Sequence, residues 1–231
     1  MSNFVTLVNK LLARMNEVQL DTGGTGFDSV RNVQQLAKNA VNDAVRVIVQ
    51  TGEEWPFLKA THTETLVSGT KLYSFPTGFA SADWETFYLK KSSTTAPKYL
   101  PAIEYQRYLQ NFRQQDDENT SGGVPDAVYS TYNNSFGIYP TPNASYDVEY
   151  TYWSVPDDLQ TYNQECVIPT RFDHVILDGA MSIMMRFRSN EQSASIHQDN
   201  FEEGIRRMRR TLLDQPLQVT STVIAGSSNV R

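Results

Sequence analysis

The stretch Val124–Pro156, VPDAVYSTYNNSFGIYPTPNASYDVEYTYWSVP, constrains this chain most strongly. Its apolar and polar residues alternate with a strand's period, and turn formers separate the alternating runs. Ala127–Tyr132 puts Val128 on one side and Tyr129 on the other. Asn133-Asn134 is a turn signal, because Asn tolerates positive φ. Phe136–Tyr139 is a second short strand, and Pro140–Asn143 is a polar break carrying Pro140 and Pro142. Asp147–Trp153 is a third strand, with Val148, Tyr150 and Tyr152 facing one way and Glu149, Thr151 and Trp153 the other. Tyr, Val and Thr suit a half-buried pleated surface. The pattern predicts a β-meander and carries no catalytic chemistry.

A length of 231 residues allows one large domain or two small ones, and 39% hydrophobic residues is adequate for a core. No run approaches the ~18 apolar residues of a membrane span. The start, MSNFVTLVNKLLARMNE, lacks an uninterrupted apolar region and a small-residue cleavage site, so a signal peptide is not expected. One cysteine, Cys166, excludes an internal disulfide framework. The sequons at Asn119, Asn133 and Asn143 then read as chance in polar loops, and a cytoplasm as the compartment. A net charge of −6 and a pI of about 5.1 argue against tight nucleic-acid binding by the whole chain. They leave room for a surface past which DNA slides without sticking.

Before the meander, Ser2 or Asn3 can cap a helix striped by Phe4, Leu7, Val8, Leu11, Met15 and Val18. Asp21–Gly26, DTGGTG, ends it. This loop lacks a P-loop lysine and follows a helix, so a plain connection is preferred to a phosphate cradle, and the role of Gly23–Gly26 stays open. Asp28 is placed to cap a second helix striped by Val30, Val33, Ala37, Val41, Ala44 and Ile48, with Gly52 at its C′ position. Its small and β-branched apolar side chains suit close helix packing. Trp55-Pro56-Phe57 marks the exit towards the sheet and reads as an aromatic plug. Ala60–Val67 and Lys71–Phe75 read as a hairpin turned at Ser68-Gly69. Pro76–Ala82 reads as loop, Asp83–Lys91 as strand, Pro101–Phe112 as a short helix and Gln114–Gly123 as mobile loop.

After the meander, Asp157–Cys166 reads as a linker. Thr170 with Asp173 resembles a capping box, opening a helix striped by Phe172, Ile176, Ala180, Ile183 and Phe187. Gly179 lowers its helix propensity by ~1 kcal/mol relative to Ala and lets a neighbour approach closely. A last helix runs from about Gln192 to Leu213 with Ile196, Phe201, Ile205, Met208 and Leu212 inward and Glu202–Arg206 and Glu203–Arg207 paired at i,i+4. Pro216 stops it. The expected fold is α+β: a helical bundle from both chain ends (1–54 and 166–214), an inserted antiparallel β module (55–165) and an extended C-terminal arm (215–231).

Candidate chemical sites are weak. His174 and Asp178 share a helix face near Asp173 but lack a third metal ligand, and His62 and His197 have no spaced partners. Cys166 has only Arg171 near it in sequence to lower its pKa. No GxSxG, HExxH, P-loop or paired-cysteine motif occurs. The basic run Arg206, Arg207, Arg209, Arg210 fits either an acidic or phosphate partner or a solvated last turn favoured by the helix dipole; the solvated turn is the plainer reading.

Residues from about Trp55 to Arg210 resemble the head-to-tail adaptor (connector) proteins of tailed bacteriophages. The resemblance rests on GTKLYSFPTGF, WETFYLKK, YLPAIEYQRYLQNF, the meander, and VIPTRFDHVILDGAMSIMMRFRS with NFEEGIRRMRR. The first helix pair with its WPF exit is similar to the tail tubular (gatekeeper) proteins of short-tailed phages; DTGGTG has no counterpart in that pattern. The resemblance implies a structural virion protein at the head–tail junction, assembled in the host cytoplasm, with no enzymatic activity and no cofactor. It implies a ring, usually of twelve subunits, that docks under the portal protein and carries the next tail component (nozzle or tail tube). DNA passes through its lumen without specific binding, and no membrane is involved. It assigns Leu217, Val219, Val223 and Ile224 to an arm that docks to the portal. The competing classes are a carbohydrate-binding or hydrolysing β module using Asp157 and Asp158, and a helical DNA-binding regulator using the arginine run.

Overall fold

The computed structural model describes residues 1–21, 24–28, 31–51, 54–91, 96–118, 121–131 and 134–213. It is mixed α+β. Four long helices, α1 (Phe4–Arg14), α3 (Asn32–Gln50), α6 (Asp173–Phe187) and α7 (Glu191–Leu212), bury their apolar stripes in one cluster. Leu11, Val41 and Ile205 lie inside that cluster, and Ile183 packs against its edge. Gly179 is where three helices meet: an added Cβ would come within 2.8 Å of the Phe201 ring and 3.0 Å of the Ala44 methyl. The close approach expected of this glycine is therefore made.

The chain start is held against the start of α6. Ser2 Oγ donates to Asp173 Oδ2 at 2.6 Å, and Lys10 Nζ lies 2.7 Å from the same oxygen. Backbone bonds from Phe4, Val5 and Cys166 knit the first residues to the segment before α6. The N-cap of α1 is Asn3, and Ser2 spends its hydroxyl on Asp173 rather than on a cap.

Several expectations in the helical part are corrected. The first helix stops at Arg14, and Asn16 has φ 56°, so Val18 stands outside it and is exposed. Part of DTGGTG is a short helix, α2 (Gly24–Asp28), and Asp28 ends it instead of capping the next. The N-cap of α3 is Arg31, whose backbone N–H donates to Gln34 Oε1 at 2.9 Å. Gly52 and Val30 lie outside the described residues. Thr170 begins a 3-10 turn (Thr170–Phe172) and makes no capping hydrogen bond. Phe187 and Ile196 point to solvent, because each falls off the face that meets the core.

The middle of the chain forms two sheets. One contains β1 (Lys59–Leu66), β3 (Phe79–Ala82), β4 (Tyr88–Leu89), β5 (Lys98–Tyr99) and β9 (Tyr146–Ser154). Its order is β1-β9-β4-β5, with β3 also on β9. The other runs β2 (Leu72–Ser74), β8 (Ser135–Tyr139), β7 (Ala127–Ser130), β6 (Ala102–Ile103). Residues of both sheets share a second core, in which Phe136 of one sheet packs against Phe87 and Tyr150 of the other, at 5.4 Å between centroids in each case.

This arrangement corrects the meander. β7 and β8 pair as expected, but β9 pairs with β1, β3 and β4 and not with β8. The break at Pro140–Asn143 carries the chain across the core to the facing sheet. The same crossing undoes the hairpin: after the turn at Gly69 (φ 78°), β2 joins β8 while β1 joins β9. β6 and β7 are parallel, so the module is not wholly antiparallel. Only Tyr88–Leu89 of Asp83–Lys91 is strand, Phe79–Ala82 is strand rather than loop, and Arg113–Glu118 is a helix (α5) rather than loop. α4 is Tyr105–Asn111.

β9 joins the two cores. Val148, Tyr150 and Tyr152 face the sheet core, and Trp153 packs against the helical one. Trp55 is buried in the helical core, donates from Nε1 to Ile48 O at 3.0 Å and stacks on Phe57. The aromatic plug thus closes the end of α3 where the chain enters β1.

Candidate docking surfaces

The arginine run occupies the last turns of α7. Glu203 gathers it: Arg206, Arg207 and Arg210 stand at i+3, i+4 and i+7. Arg207 Nε and a terminal nitrogen of Arg210 each lie 3.1 Å from Glu203 Oε1, and Arg206 lies 3.7 Å from Oε2 and 3.9 Å from Glu202. The hydrogen bond from Arg207, then the charges of Arg207, Arg210 and Arg206, hold the Glu203 carboxyl below the usual carboxylate range. The side chains of Arg206, Arg207 and Arg210 stay about two-thirds exposed. Four guanidinium groups with Arg209, against Glu202 and Glu203, leave this end of the helix positive. The exposed guanidinium groups are thus held on one helix end by intra-helix ion pairs.

A second surface lies between α4–α5 and the outer face of β7–β8. Tyr129 and Tyr108 stack at 3.9 Å between centroids and 13° between planes, with Tyr105 beside them at 5.9 and 6.3 Å. Gly137 opposes Tyr129 across the ladder, and an added Cβ there would lie 2.0 Å from the Tyr129 ring. The ring therefore lies flat over a glycine, which is why both faces of β7 are covered. Burial pushes the Tyr108 and Tyr129 hydroxyls above the ordinary tyrosine range. A cleft of about 330 Å³ opens beside the stack, rimmed by Leu72, Leu109, Lys71, Arg113 and Asp117. Asp117 is held below the usual carboxylate range by its hydrogen bond from Lys71 and by the charges of Lys71 and Arg113.

Asp116 anchors this surface. Its buried carboxylate accepts from Tyr108 OH at 3.0 Å and from the Thr141 N–H and hydroxyl at 2.8 and 3.0 Å, with Lys71 Nζ at 3.8 Å. It ties α5 to the turn between the two sheets. Sequence spacing gave no sign of it, because its partners lie 8 and 25 residues away.

The other candidates are placed as follows. His174 is exposed, and Asp178 lies 3.1 Å from His197 and 3.6 Å from Arg14, so His197 has a partner that sequence spacing did not show. His62 lies 3.2 Å from Glu64. Asp158 pairs with Arg46 at 2.6 Å, whereas Asp157 makes no such contact among the described residues. Cys166 is buried, and burial raises its thiol pKa. Among the described residues no cluster of three metal-ligating side chains occurs, and no helix is long and apolar enough to cross a membrane. Leu217, Val219, Val223 and Ile224 lie outside the described residues.

The comparison with known families bears on the whole chain. The family model of the SU10 adaptor protein matches residues 2–223. The chain belongs to the SU10 adaptor protein family. The matched range includes the first helix pair as well as the stretch from Trp55 to Arg210. No curated protein matches the chain. As an adaptor, the protein is a phage structural component whose partners are other components of the virion.

Proposed function

We propose that this adaptor forms a homo-oligomeric ring of about twelve subunits beneath the portal at the head–tail junction. The ring carries the next tail component and lets genome DNA pass through its lumen. Assembly in the host cytoplasm and the absence of enzymatic activity belong to the same reading. The observation that carries it is the family match over nearly the whole chain. Two features of the molecule support it: surfaces of charge and exposed apolar groups on more than one side, and a net charge of −6 that disfavours DNA retention in a lumen. A heterologous ring needs two different patches per subunit.

Within this reading residues 1–54 and 166–214 form one unit and 55–165 an inserted one. The segment 215–231 is an arm that docks to the portal through Leu217, Val219, Val223 and Ile224, and Arg206, Arg207, Arg209 and Arg210 face an acidic partner. An extended segment with spaced apolar residues gains affinity from backbone hydrogen bonds and shallow pockets. The test is portal binding by the full chain and by a chain lacking Leu217–Arg231, each followed by particle mass. Docking by the first and none by the truncated chain is expected. Equal docking by both overturns the arm.

A further inference from the structure

β1 is the long edge of its sheet. Among the described residues β9 is its one strand neighbour, through an eight-residue register from Lys59↔Trp153 to Leu66↔Tyr146. The odd residues of β9 turn their backbone groups away from β1: Thr151 O accepts from Asp83, Asp147 O from Lys90, and the Thr151 N–H donates to Thr86 Oγ1. The even residues of β9 therefore bond to β1, and the register pairs them with Ala60, His62, Glu64 and Leu66. In an antiparallel ladder the intervening residues point outward. Thr61, Thr63 and Thr65 thus hold their N–H and C=O groups off the sheet.

This window is closed at equal distances on either side of Thr63. The Lys59 N–H bonds to Pro56 O, and the Val67 N–H donates to Tyr73 OH. Between them the edge carries none of the usual guards: no proline, no bulge and no charge at the outward positions. Among the described residues no hydrogen bond reaches the outward backbone groups of the three threonines.

The edge is complementary to itself. Laid antiparallel against a second copy and centred on Thr63, it sets Thr63 opposite Thr63 and Thr61 opposite Thr65. Each outward N–H then meets an outward C=O. His62 of each copy stands opposite Glu64 of the other, at the non-hydrogen-bonded positions, where Cα atoms approach to about 4.5 Å. Both side chains are about one-third exposed at the rim of the sheet. Imidazole faces carboxylate twice, Ala60 faces Leu66, and no like charges oppose each other. The neighbouring registers are worse. Centring on His62 sets His62 against itself, and centring on Glu64 sets two carboxylates against each other, which destabilises a cross-strand pair. Centring on Thr61 or Thr65 brings the occupied N–H of Lys59 or Val67 into the ladder.

We propose that two copies of the free subunit pair β1 to β1, antiparallel about Thr63, and so join their sheets into one. A two-fold contact uses the same patch on both copies, so it stops at two and leaves neither β1 edge open. A head-to-tail ring needs two different patches, so the pair is a separate contact from the ring. The inference goes beyond the ring reading and does not depend on it.

The test is the mass of the full-length protein over a dilution series, with amide hydrogen exchange read at the same concentrations. With rising concentration the mass should climb from one chain to two, and exchange at Thr61, Thr63 and Thr65 should slow by roughly tenfold or more. The amides of His62 and Glu64, bonded to β9, stay protected throughout and report an intact fold. Thr61→Lys/Thr65→Lys puts like charges opposite each other at both ends of the ladder and should weaken pairing roughly tenfold. Asp147, 2.8 Å from Thr65 Oγ1, lets the fold accept a positive charge at that position. Thr61→Glu/Thr65→Lys puts opposite charges at the same places and should restore pairing. A mass of one chain at every concentration overturns the proposal. So does protection of the three amides that ignores concentration, a larger assembly that leaves them in free exchange, or equal pairing by the two variants.

Discussion

In the helical core the contacts that set the spacing run through the smallest residues, whereas in the sheet core they run through rings. Phe201 and Ala44 come within 3.0 Å of where a Cβ on Gly179 would stand, and Val175 within 2.9 Å of one on Gly204. Phe87, Phe136 and Tyr150 instead fill the space between the sheets, with Phe87 and Tyr150 stacked at 4.7 Å and 11°. The difference follows from the elements. Helices with small and β-branched stripes bring backbones together, while two sheets stand about 10 Å apart and need large side chains to close the gap. Truncating a ring should therefore hurt the sheet core most, and adding a methyl should test how far each core can yield.

Phe136→Ala is expected to have the largest effect, a loss of about 3–5 kcal/mol in chemical denaturation. Near-ultraviolet dichroism from the aromatic cluster should fall before helical signal does. If helix and sheet signals fell together, the two cores would unfold as one unit and the division at residues 55–165 would be lost. Asp116→Ala comes next. It strands the Tyr108 hydroxyl and the half-buried Thr141 N–H, for a loss of roughly 2–4 kcal/mol. Tyrosine fluorescence at the α4–α5 surface should change with it.

The glycine pair sharpens the comparison. Gly137→Ala drives a Cβ into the Tyr129 ring and should cost about 1–3 kcal/mol. Gly179→Ala is less crowded, with the added Cβ 2.8 Å from the Phe201 ring, and it gains about 1 kcal/mol of helix propensity, so it should cost less. A larger loss at Gly179 would mean that the helical layer is the stiffer of the two.

The smallest effect is a pH dependence at the end of α7. Because the folded state lowers the pKa of Glu203, its stabilisation is complete above the unfolded carboxylate value, about 4.3, and is lost as pH falls through the lower folded value. Amide exchange in the last turns of α7 should rise on acidification through that window. Arg207→Gln, which removes the main cause of the shift, should flatten the response.

Sequence periodicity located the long helices and most strands, because a stripe such as Val33, Ala37, Val41, Ala44 and Ile48 repeats every turn. It failed where partner choice decides. Nothing in Ala60–Val67 says that its neighbour is β9 rather than β2, since either pairing would satisfy the alternation. Arg113–Glu118 is too polar to show an apolar stripe, and it is helical because Asp116 is anchored from 25 residues away. Of the candidate surfaces, the arginine run was legible as composition. Its gathering around Glu203 follows from spacings of three, four and seven. The tyrosine surface was not legible, because it needs the helix α4 placed over Gly137.

The central claim is that this adaptor sits as a ring at the portal vertex. Electron cryomicroscopy of the virion, without imposed symmetry at that vertex, tests it most directly. The account predicts several copies of this fold in a closed ring between portal and tail, with a DNA-sized lumen. A single copy per particle, or a position away from the portal vertex, would contradict it.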